Sequence, residues 1–292
     1  MAALASWLDA KAHQGQWLVR IEDVDTPRCV PGAAEHILHQ LQACGLASDD
    51  TVVWQSSRST AYAQALGQLQ QQGLAYACTC SRKTIAAFWA AHNKPLQAGT
   101  ELPYPGTCRP CASSSIGNAP TPNSHHTWRF NILQLQTQHG LPLHTPWHDR
   151  HLGAQAQNVQ EHIGDFVLQR ADQVWAYQLA VVVDDAWQGI THVVRGLDLA
   201  DNTPRQRLLQ IALDLPALTY LHTPLVLDAH GHKLSKQTGA AAVNVSTPAL
   251  ALQAVSQAAV SLGLPPHNGP LSDALQTWVQ AWAALYGPTF ST

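Results

Sequence analysis

The stretch that decides the fold is WLVRIEDVD, which runs from Trp17 to Asp25. Its first five residues are apolar except for Arg20, as is typical of a parallel strand buried on both faces. Glu22 and Asp23 follow directly, in the position where strands of an open α/β sheet end at a functional edge. The stretch therefore predicts an α/β fold with a ligand site beside the carboxyl end of this strand.

Helix-like and strand-like segments alternate on both sides of this stretch. Apolar residues at helical spacing from Leu4 onward predict a helix before it, and the segment from Pro31 to Gly45 has the proline start and glycine end of a second helix. The run from Tyr177 to Val183 is apolar enough to be either a buried helix or a strand. Further strands are predicted at residues 52–54, 74–78, 128–132, 165–169, 191–194 and 221–227, and further helices before Gly73 and through Ile211. This alternation predicts a doubly wound parallel sheet.

The composition narrows the class of protein. A chain of 292 residues is long enough for two domains or for one α/β body with an insertion. Its formal charge of −3 argues against a generally basic nucleic-acid-binding surface, although basic residues on one face could still contact RNA. No run of about 18 apolar residues could span a membrane, and Asp9 and Lys11 interrupt any signal peptide. We therefore expect no membrane partner. Six irregularly spaced cysteines fit a reducing cytoplasm better than a disulfide scaffold, so we expect a cytoplasmic protein.

A segment rich in proline, serine and cysteine interrupts the alternation from Cys78 to about Thr127, and it is predicted to be an insertion. Cys78 and Cys80 form a C-x-C pair, and Cys108 and Cys111 form a C-x-x-C pair. Two short pairs separated by a loop commonly bind one tetrahedral Zn²⁺, which would stabilise a segment too small for its own core. Spacing alone makes Cys111 the fourth ligand of a structural zinc. The alternative is a set of unrelated buried or surface thiols.

A second candidate site is the basic loop KLSKQ, from Lys233 to Gln237, which follows a predicted strand and a short turn. Lys233 and Lys236 would place two ammonium groups at the carboxyl end of that strand, where a triphosphate could bind. The alternative is a solvated basic turn without a ligand. After this loop, the segment from Pro248 onward is predicted to form alanine-rich helices.

Taken in order, the motifs of this chain resemble those of a known family. They are RIEDVD at 20–25, the C-x-C pair, YPGTC at 104–108, WAY at 175–177, VVVDD at 181–185, VRGLD at 194–198 and KLSK at 233–236. This set resembles the catalytic body of class I glutamyl-tRNA synthetases and is most similar to their short paralogues, the glutamyl-queuosine tRNA(Asp) synthetases. Only 55 residues follow Gln237, which is far below a typical domain of about 100 to 150 residues. The short paralogues likewise lack the large anticodon-binding region of the full synthetases.

The resemblance implies a class I synthetase-like Rossmann fold with four parts. The expected parts are the first half of the catalytic domain at 1–77, a zinc-binding insertion at 78–127, the second half with the KLSK loop at 128–240, and a helical C-terminal segment at 241–292. It also implies that a monomer uses ATP and Mg²⁺ to convert glutamate to glutamyl-adenylate. The glutamate is then transferred to queuosine in the anticodon of tRNA(Asp).

The resemblance further assigns roles to individual residues. Glu22 would hold the ammonium group of glutamate, Arg195 a carboxylate, and Tyr177 would donate a hydrogen bond. Lys236 would bind the ATP phosphates, with Lys233 as its catalytic partner. The structural alternatives are a helix cap for Glu22, a core aromatic for Tyr177 and a strand-end ion pair for Arg195.

The resemblance also bears on the zinc ligands. It replaces Cys111 by Tyr104, so the expected ligand set becomes Cys78, Cys80, Tyr104 and Cys108.

One feature departs from the family pattern. Family members begin with a strand that carries an arginine, followed by an HxGH-like phosphate-contacting motif at the start of the first helix. This sequence begins within that helix, so both features are expected to be missing from it. Two alternatives to the enzyme therefore remain open: an inactive zinc-stapled remnant that binds tRNA, and a glutamyl-tRNA synthetase-like enzyme that charges a tRNA 3′ end.

Overall fold

The computed structural model describes residues 1–92, 102–110, 125–226 and 242–287. Within these ranges the helices are α1 (Ala2–Ala12), α2 (Ala33–Ala43), α3 (Ser59–Gln71), α4 (Arg82–Ala91), α5 (Ile132–His139), α6 (Val159–His162), α7 (Tyr177–Trp187), α8 (Thr203–Ala212), α9 (Pro248–Ser261) and α10 (Leu271–Tyr286). The strands are β1 (Arg20–Ile21), β2 (Val53–Trp54), β3 (Ala75–Cys78), β4 (Thr127–Phe130), β5 (Thr145–Asp149), β6 (Gly153–Gln157), β7 (Val167–Gln169), β8 (His192–Gly196) and β9 (Thr219–Thr223). None of the described helices is both long enough and apolar enough to cross a lipid bilayer.

These strands form three sheets. β1 and β2 are a parallel pair, in which Arg20 lies opposite Val53. The second sheet has the order β6-β5-β9-β8; β8 and β9 run parallel, and β5 and β6 form an antiparallel hairpin. The third sheet, β3-β4-β7, is antiparallel because the chain leaves β3 at Cys78 and returns on β4 with Thr127 directly opposite. The α/β class and the parallel strands are confirmed, whereas the β5–β6 hairpin is an addition that the sequence patterns did not indicate.

Two of the three hydrophobic clusters among the described residues hold most of the helices in place. The first lies under α3, α7 and α8, where Tyr62, Leu66 and Leu69 project from one face of α3 at helical spacing. The second joins the start of the chain to its C-terminal helices, because Leu4 and Leu8 of α1 belong to one buried cluster with Trp278 of α10. The C-terminal helices therefore pack directly onto the part of the chain that carries β1 and β8.

The run that the sequence left open between helix and strand is the helix α7. Its apolar side chains are needed on more than one face, since α7 packs against both α3 and α8. Leu179 and Val182 are buried in the core, while Tyr177, Val181 and Asp185 line a cavity. These three lie four residues apart, on one stripe of the helix, so α7 presents this stripe to the cavity beside β1 and β8.

Candidate functional site

A cavity of about 570 Å³ lies between β1, α7 and β8. Glu22, Tyr177 and Arg195, which the sequence predicted as a substrate site, all line it. Glu22 follows the carboxyl end of β1, Tyr177 opens α7, and Arg195 lies near the carboxyl end of β8. The structure thus brings these three side chains to one edge of the sheets, where ligands of open α/β folds bind.

Arg195 is a buried cation that forms no ion pair with a carboxylate of the described residues. The residue is 8% exposed, and its guanidinium donates to His222 Nε2 at 3.1 Å, Gln206 Oε1 at 2.9 Å and Thr203 Oγ1 at 2.9 Å. Among the described residues, no Asp or Glu oxygen lies within 4.0 Å of the guanidinium, so the predicted alternative of a strand-end ion pair finds no partner in them. A buried charge is costly unless a counter-charge compensates it. The site is therefore suited to an anionic group.

Two hydrogen-bond donors, one on Tyr177 and one on Arg195 itself, remain available for such a group. Nη1 of Arg195 donates to the Tyr177 hydroxyl at 3.4 Å, which leaves the O–H of Tyr177 free to donate elsewhere. Burial raises the pKa of Tyr177, although the charge of Arg195 acts in the opposite direction, so this hydroxyl keeps its proton at neutral pH. Nη2 has one N–H beyond the bond to Thr203. A carboxylate could thus accept one bond from Arg195 and one from Tyr177.

Glu22 supplies this cavity with an acidic side chain, in contrast to the basic Arg195. Its Oε1 accepts from Arg20 at 3.3 Å, and its Oε2 accepts no hydrogen bond from the described residues. Burial raises the pKa of Glu22 and Arg20 counteracts this shift. Arg20 is itself held by Asp185 at 2.8 Å and by Gln188 Oε1 at 2.7 Å. An ammonium group could therefore bind at Oε2 while Arg20 keeps the carboxylate oriented.

A second and larger cavity, of about 1010 Å³, adjoins the first and shares Glu22 and Arg195 with it. The predicted phosphate ligands Lys233 and Lys236 lie outside the described residues. The chain leads toward them from β9, which ends at Thr223 directly opposite Gly196 of β8. The last described part of this segment therefore leaves the sheet at the edge that carries Arg195.

The cysteines of the insertion form a second candidate site. The sulfur atoms of Cys78, Cys80 and Cys108 lie within 4.8 Å of one another, and the Cys80–Cys108 distance is 3.6 Å. The hydroxyl oxygen of Tyr104 lies 3.3 Å from Cys78 Sγ and 3.9 Å from Cys80 Sγ. The structure thus brings together all four residues of the ligand set that contains Tyr104. The competing residue, Cys111, lies outside the described residues.

The three individual distances, from 3.3 to 3.9 Å, are close to those expected around one tetrahedral zinc ion. Bonds of about 2.3 Å to sulfur and about 2.0 Å to oxygen separate two sulfurs by about 3.8 Å, and a sulfur from an oxygen by about 3.5 Å. Burial opposes ionisation of Cys108, yet hydrogen bonds, led by one from the Thr79 backbone N–H, lower its pKa to about 7. Burial raises the pKa of Tyr104, and Cys78 adds to this shift, so the phenol keeps its proton unless a cation displaces it.

The segment that carries these candidate ligands is tied to the rest of the protein through a buried carboxylate that the sequence patterns did not single out. Asp165 is fully buried and accepts from the Tyr76 hydroxyl at 2.6 Å and from Arg109 Nε at 2.7 Å. A backbone hydrogen bond joins the same two parts of the chain, because the Tyr104 N–H donates to the Ile163 carbonyl at 2.8 Å. The insertion is therefore docked by polar contacts around the segment that follows α6.

The sequence and the fold are both similar to those of known proteins. Residues 1–251 match the family described as tRNA synthetases class I (E and Q), catalytic domain. A glutamyl-Q tRNA(Asp) synthetase of Albidiferax ferrireducens is 53% identical, over 97% of this chain and 93% of its own length. A second one, of Leptothrix cholodnii, is 55% identical, over 97% of this chain and 92% of its own length.

Among solved structures, a glutamate-tRNA synthetase of Elizabethkingia anophelis superimposes with a TM-score of 0.64 at 26% identity. The superposition covers 82% of this chain but 49% of that protein. A glutamate tRNA ligase of Elizabethkingia meningosepticum, solved in complex with its amino acid, gives a TM-score of 0.63. The chain thus spans about half the length of these full synthetases and nearly the whole length of the shorter relatives.

Proposed function

Because the chain belongs to the class I family of E and Q tRNA synthetases, and within it to the glutamyl-Q tRNA(Asp) synthetases, we propose that it activates glutamate with ATP and transfers it to queuosine of tRNA(Asp). The observation that carries the proposal is the buried Arg195 guanidinium. It donates hydrogen bonds to neutral acceptors, and no carboxylate of the described residues lies within ion-pair distance of it. Glutamate offers two carboxylates and one ammonium, which complement Arg195, Tyr177 and Glu22. The sequence-based expectation of a cytoplasmic monomer belongs to the same proposal.

In the activation step, one carboxylate oxygen of glutamate attacks the α-phosphorus of ATP and pyrophosphate leaves. Negative charge builds up on phosphate oxygens, so positioned cations are the main catalytic requirement and no protein nucleophile is needed. Mg²⁺, which class I synthetases generally use with ATP, would neutralise part of this negative charge. We assign the remainder to Lys236, assisted by Lys233. A nucleophile of queuosine then attacks the adenylate carbonyl carbon and AMP leaves.

The proposal is tested by incubating the chain with labelled glutamate, ATP and tRNA(Asp) that carries queuosine. We expect label in the anticodon region of this tRNA and none in tRNA(Asp) that lacks queuosine. Label at the 3′ end of tRNA(Glu) would instead identify an enzyme of the glutamyl-tRNA synthetase type. Binding of tRNA without any transfer of glutamate would identify an inactive remnant.

Lys236→Ala is expected to suppress adenylate formation by about 10²-fold, because it removes a cation from the phosphates at the transition state. The measurement is glutamate-dependent exchange of pyrophosphate into ATP, with the melting temperature as a check on folding. Lys11→Ala is the matched control, since Lys11 lies near the end of α1 and its ammonium group forms an ion pair with Asp49. Near-normal exchange by the Lys236 variant would remove this residue from the ATP site.

We further propose that Cys78, Cys80, Tyr104 and Cys108 bind one structural zinc ion. The support is three distances between donor atoms. The Tyr104 hydroxyl lies 3.3 Å from the Cys78 sulfur and 3.9 Å from the Cys80 sulfur, and the sulfurs of Cys80 and Cys108 are 3.6 Å apart. With four protein donors, the ion would have no open position for a substrate. The zinc would fix the insertion rather than take part in the reaction.

The fourth ligand can be identified by paired substitutions. Tyr104→Phe should lower the affinity for zinc by about tenfold or more, because it removes a donor and leaves only three thiols from the described residues. Cys111→Ser should leave the zinc content unchanged. Zinc per chain is measured after dialysis against chelators of graded affinity. The reverse result, with zinc lost only from the Cys111 variant, would make Cys111 the ligand.

A further inference from the structure

Two fully buried residues without an assigned role stand behind Arg195. His222 and Asp149 are both 0% exposed. Asp149 Oδ2 lies 2.6 Å from His222 Nδ1, and His222 Nε2 lies 3.1 Å from Arg195 Nε. The three residues come from β5, β9 and β8, which are consecutive strands of the four-stranded sheet. They therefore form a hydrogen-bonded chain that crosses the sheet and ends at the cavity.

The chemistry of Arg195 fixes where the protons lie. A guanidinium Nε–H can only donate, so His222 Nε2 must be the unprotonated nitrogen that accepts. The ring proton is then on Nδ1 and is donated to Asp149. A second proton on the ring would set Nε2–H against Nε–H and would break the bond to Arg195. The geometry therefore assigns the ring proton of His222 to Nδ1, which leaves Nε2 to accept from Arg195.

Asp149 is held as a carboxylate by several donors. Besides His222, the backbone N–H groups of His151 and Leu152 donate to Oδ1, each at 2.9 Å. Burial works against ionisation, yet these hydrogen bonds, led by the one from His222, lower the pKa of Asp149 to about 2. A fixed negative charge thus faces Nδ1 and selects the Nδ1–H tautomer.

We propose that Asp149 and His222 are positioning residues, which hold the Arg195 guanidinium at the rotation that directs its remaining Nη2 N–H and the Tyr177 hydroxyl toward one carboxylate of the substrate. Thr203 and Gln206 hold the other side of the guanidinium at 2.9 Å each, so the Nε bond to His222 completes a fixed frame. The inference rests on the proposed function, because it takes the carboxylate to be that of glutamate.

The test is Asp149→Asn in the full chain. The new amide can present its own N–H to Nδ1, which favours the Nε2–H tautomer and removes the acceptor of Arg195. We expect the dissociation constant for glutamate, measured by calorimetry, to rise about tenfold or more, because small misplacements of a binding group are costly. The dissociation constant for ATP should change less than about twofold. The tautomer of His222, read from its ¹⁵N chemical shifts, should switch.

Two further variants separate positioning from packing. His222→Gln keeps a carbonyl oxygen that Arg195 can donate to, so it should retain more affinity for glutamate than His222→Leu, which keeps no acceptor. Asp165→Asn is the matched control, since Asp165 is also 0% exposed and multiply hydrogen-bonded but lies in the region of the insertion. It should lower the melting temperature without changing the affinity for glutamate.

The outcomes are distinct. A tautomer switch with unchanged affinity for glutamate would overturn the positioning role, as would an equal loss of affinity in the Asp165 control. If the unsubstituted chain binds no glutamate, the proposed function fails. The tautomer then decides the remaining claim: Nδ1–H in the unsubstituted protein supports the geometry, and Nε2–H contradicts it.

Discussion

Arg195→Ala is expected to lower the affinity for glutamate by about 10²-fold or more. The guanidinium is buried, and among the described residues no carboxylate lies within ion-pair distance of it, although the charge of Asp185 acts on it from farther away. A substrate carboxylate would therefore be its counter-charge, and truncating one partner of a buried charge pair costs about 2 to 5 kcal/mol. Calorimetry with glutamate measures the effect, and calorimetry with ATP should show little change. The result would separate the amino-acid site from the nucleotide site.

Substrate analogues sharpen this prediction. Glutamine lacks the side-chain charge and 4-aminobutyrate lacks the α-carboxylate. One of the two analogues lacks the carboxylate that Arg195 binds, and Arg195→Ala should hardly change the affinity for that analogue. For the other analogue, Arg195→Ala should lower the affinity as much as it does for glutamate. Equal losses for glutamate and for both analogues would mean that Arg195 supports the shape of the cavity and binds neither carboxylate.

Arg58→Ala is the matched control for Arg195→Ala. The Arg58 side chain is also largely buried, at 14% exposure, but it donates to Asp184 at 2.5 Å and does not line the cavity. Removing it should lower the free energy of unfolding, because Asp184 loses an ionic partner. It should leave the affinity for glutamate unchanged.

The main features of the fold and the three cavity residues could be predicted because they follow simple rules of chain geometry. Parallel strands that belong to one α/β body end at the same edge, so polar residues directly after such strands converge. Glu22 directly follows β1, and Arg195 lies near the carboxyl end of β8. Tyr177 opens a helix whose cavity stripe follows from helical spacing alone.

The residues behind Arg195 could not be found in the same way. In β5 the buried positions are Thr145, Trp147 and Asp149, so two of three inward side chains are polar. The partner strand, GAQAQ at Gly153–Gln157, contains no residue that favours strands. The two strands of the hairpin therefore lack the alternation of apolar and polar residues by which a strand is recognised in a sequence. The polar residues are tolerated inside because a network of hydrogen bonds compensates their burial, which only the three-dimensional structure reveals.

The conformation of α7 shows a second limit of sequence patterns. A run of apolar residues is compatible with a buried strand and with a helix that packs on several sides. The outcome depends on the neighbours, since α7 lies between α3 and α8 and also supplies Asp184 to the buried Tyr62 hydroxyl at 2.6 Å. The information that decides between helix and strand is therefore tertiary rather than local.

Gly164→Ala is expected to destabilise the protein by about 3 kcal/mol or more and to weaken zinc binding. Gly164 has a φ of +70°, a backbone conformation that residues other than glycine rarely adopt. A Cβ atom there would lie 2.1 Å from the Tyr104 carbonyl oxygen and 2.7 Å from its backbone nitrogen. Because both contacts are to backbone, no side-chain rotation can relieve them. The cost is the sum of backbone strain and a displaced chain segment.

The displaced segment is the one that carries Tyr104, so the loss of stability and the loss of zinc should occur together. Gly73→Ala isolates the strain, since Gly73 has nearly the same φ of +71° but nothing within 4 Å of the added atom. The control should cost only about 1 kcal/mol and keep its zinc. If both variants lose equal stability and the Gly164 variant binds zinc as tightly as the unsubstituted chain, the close approach of Gly164 to Tyr104 does not position the ligand. If zinc is lost only from the Gly164 variant, the backbone contact between the segment after α6 and the insertion is what positions the Tyr104 hydroxyl among the three thiols.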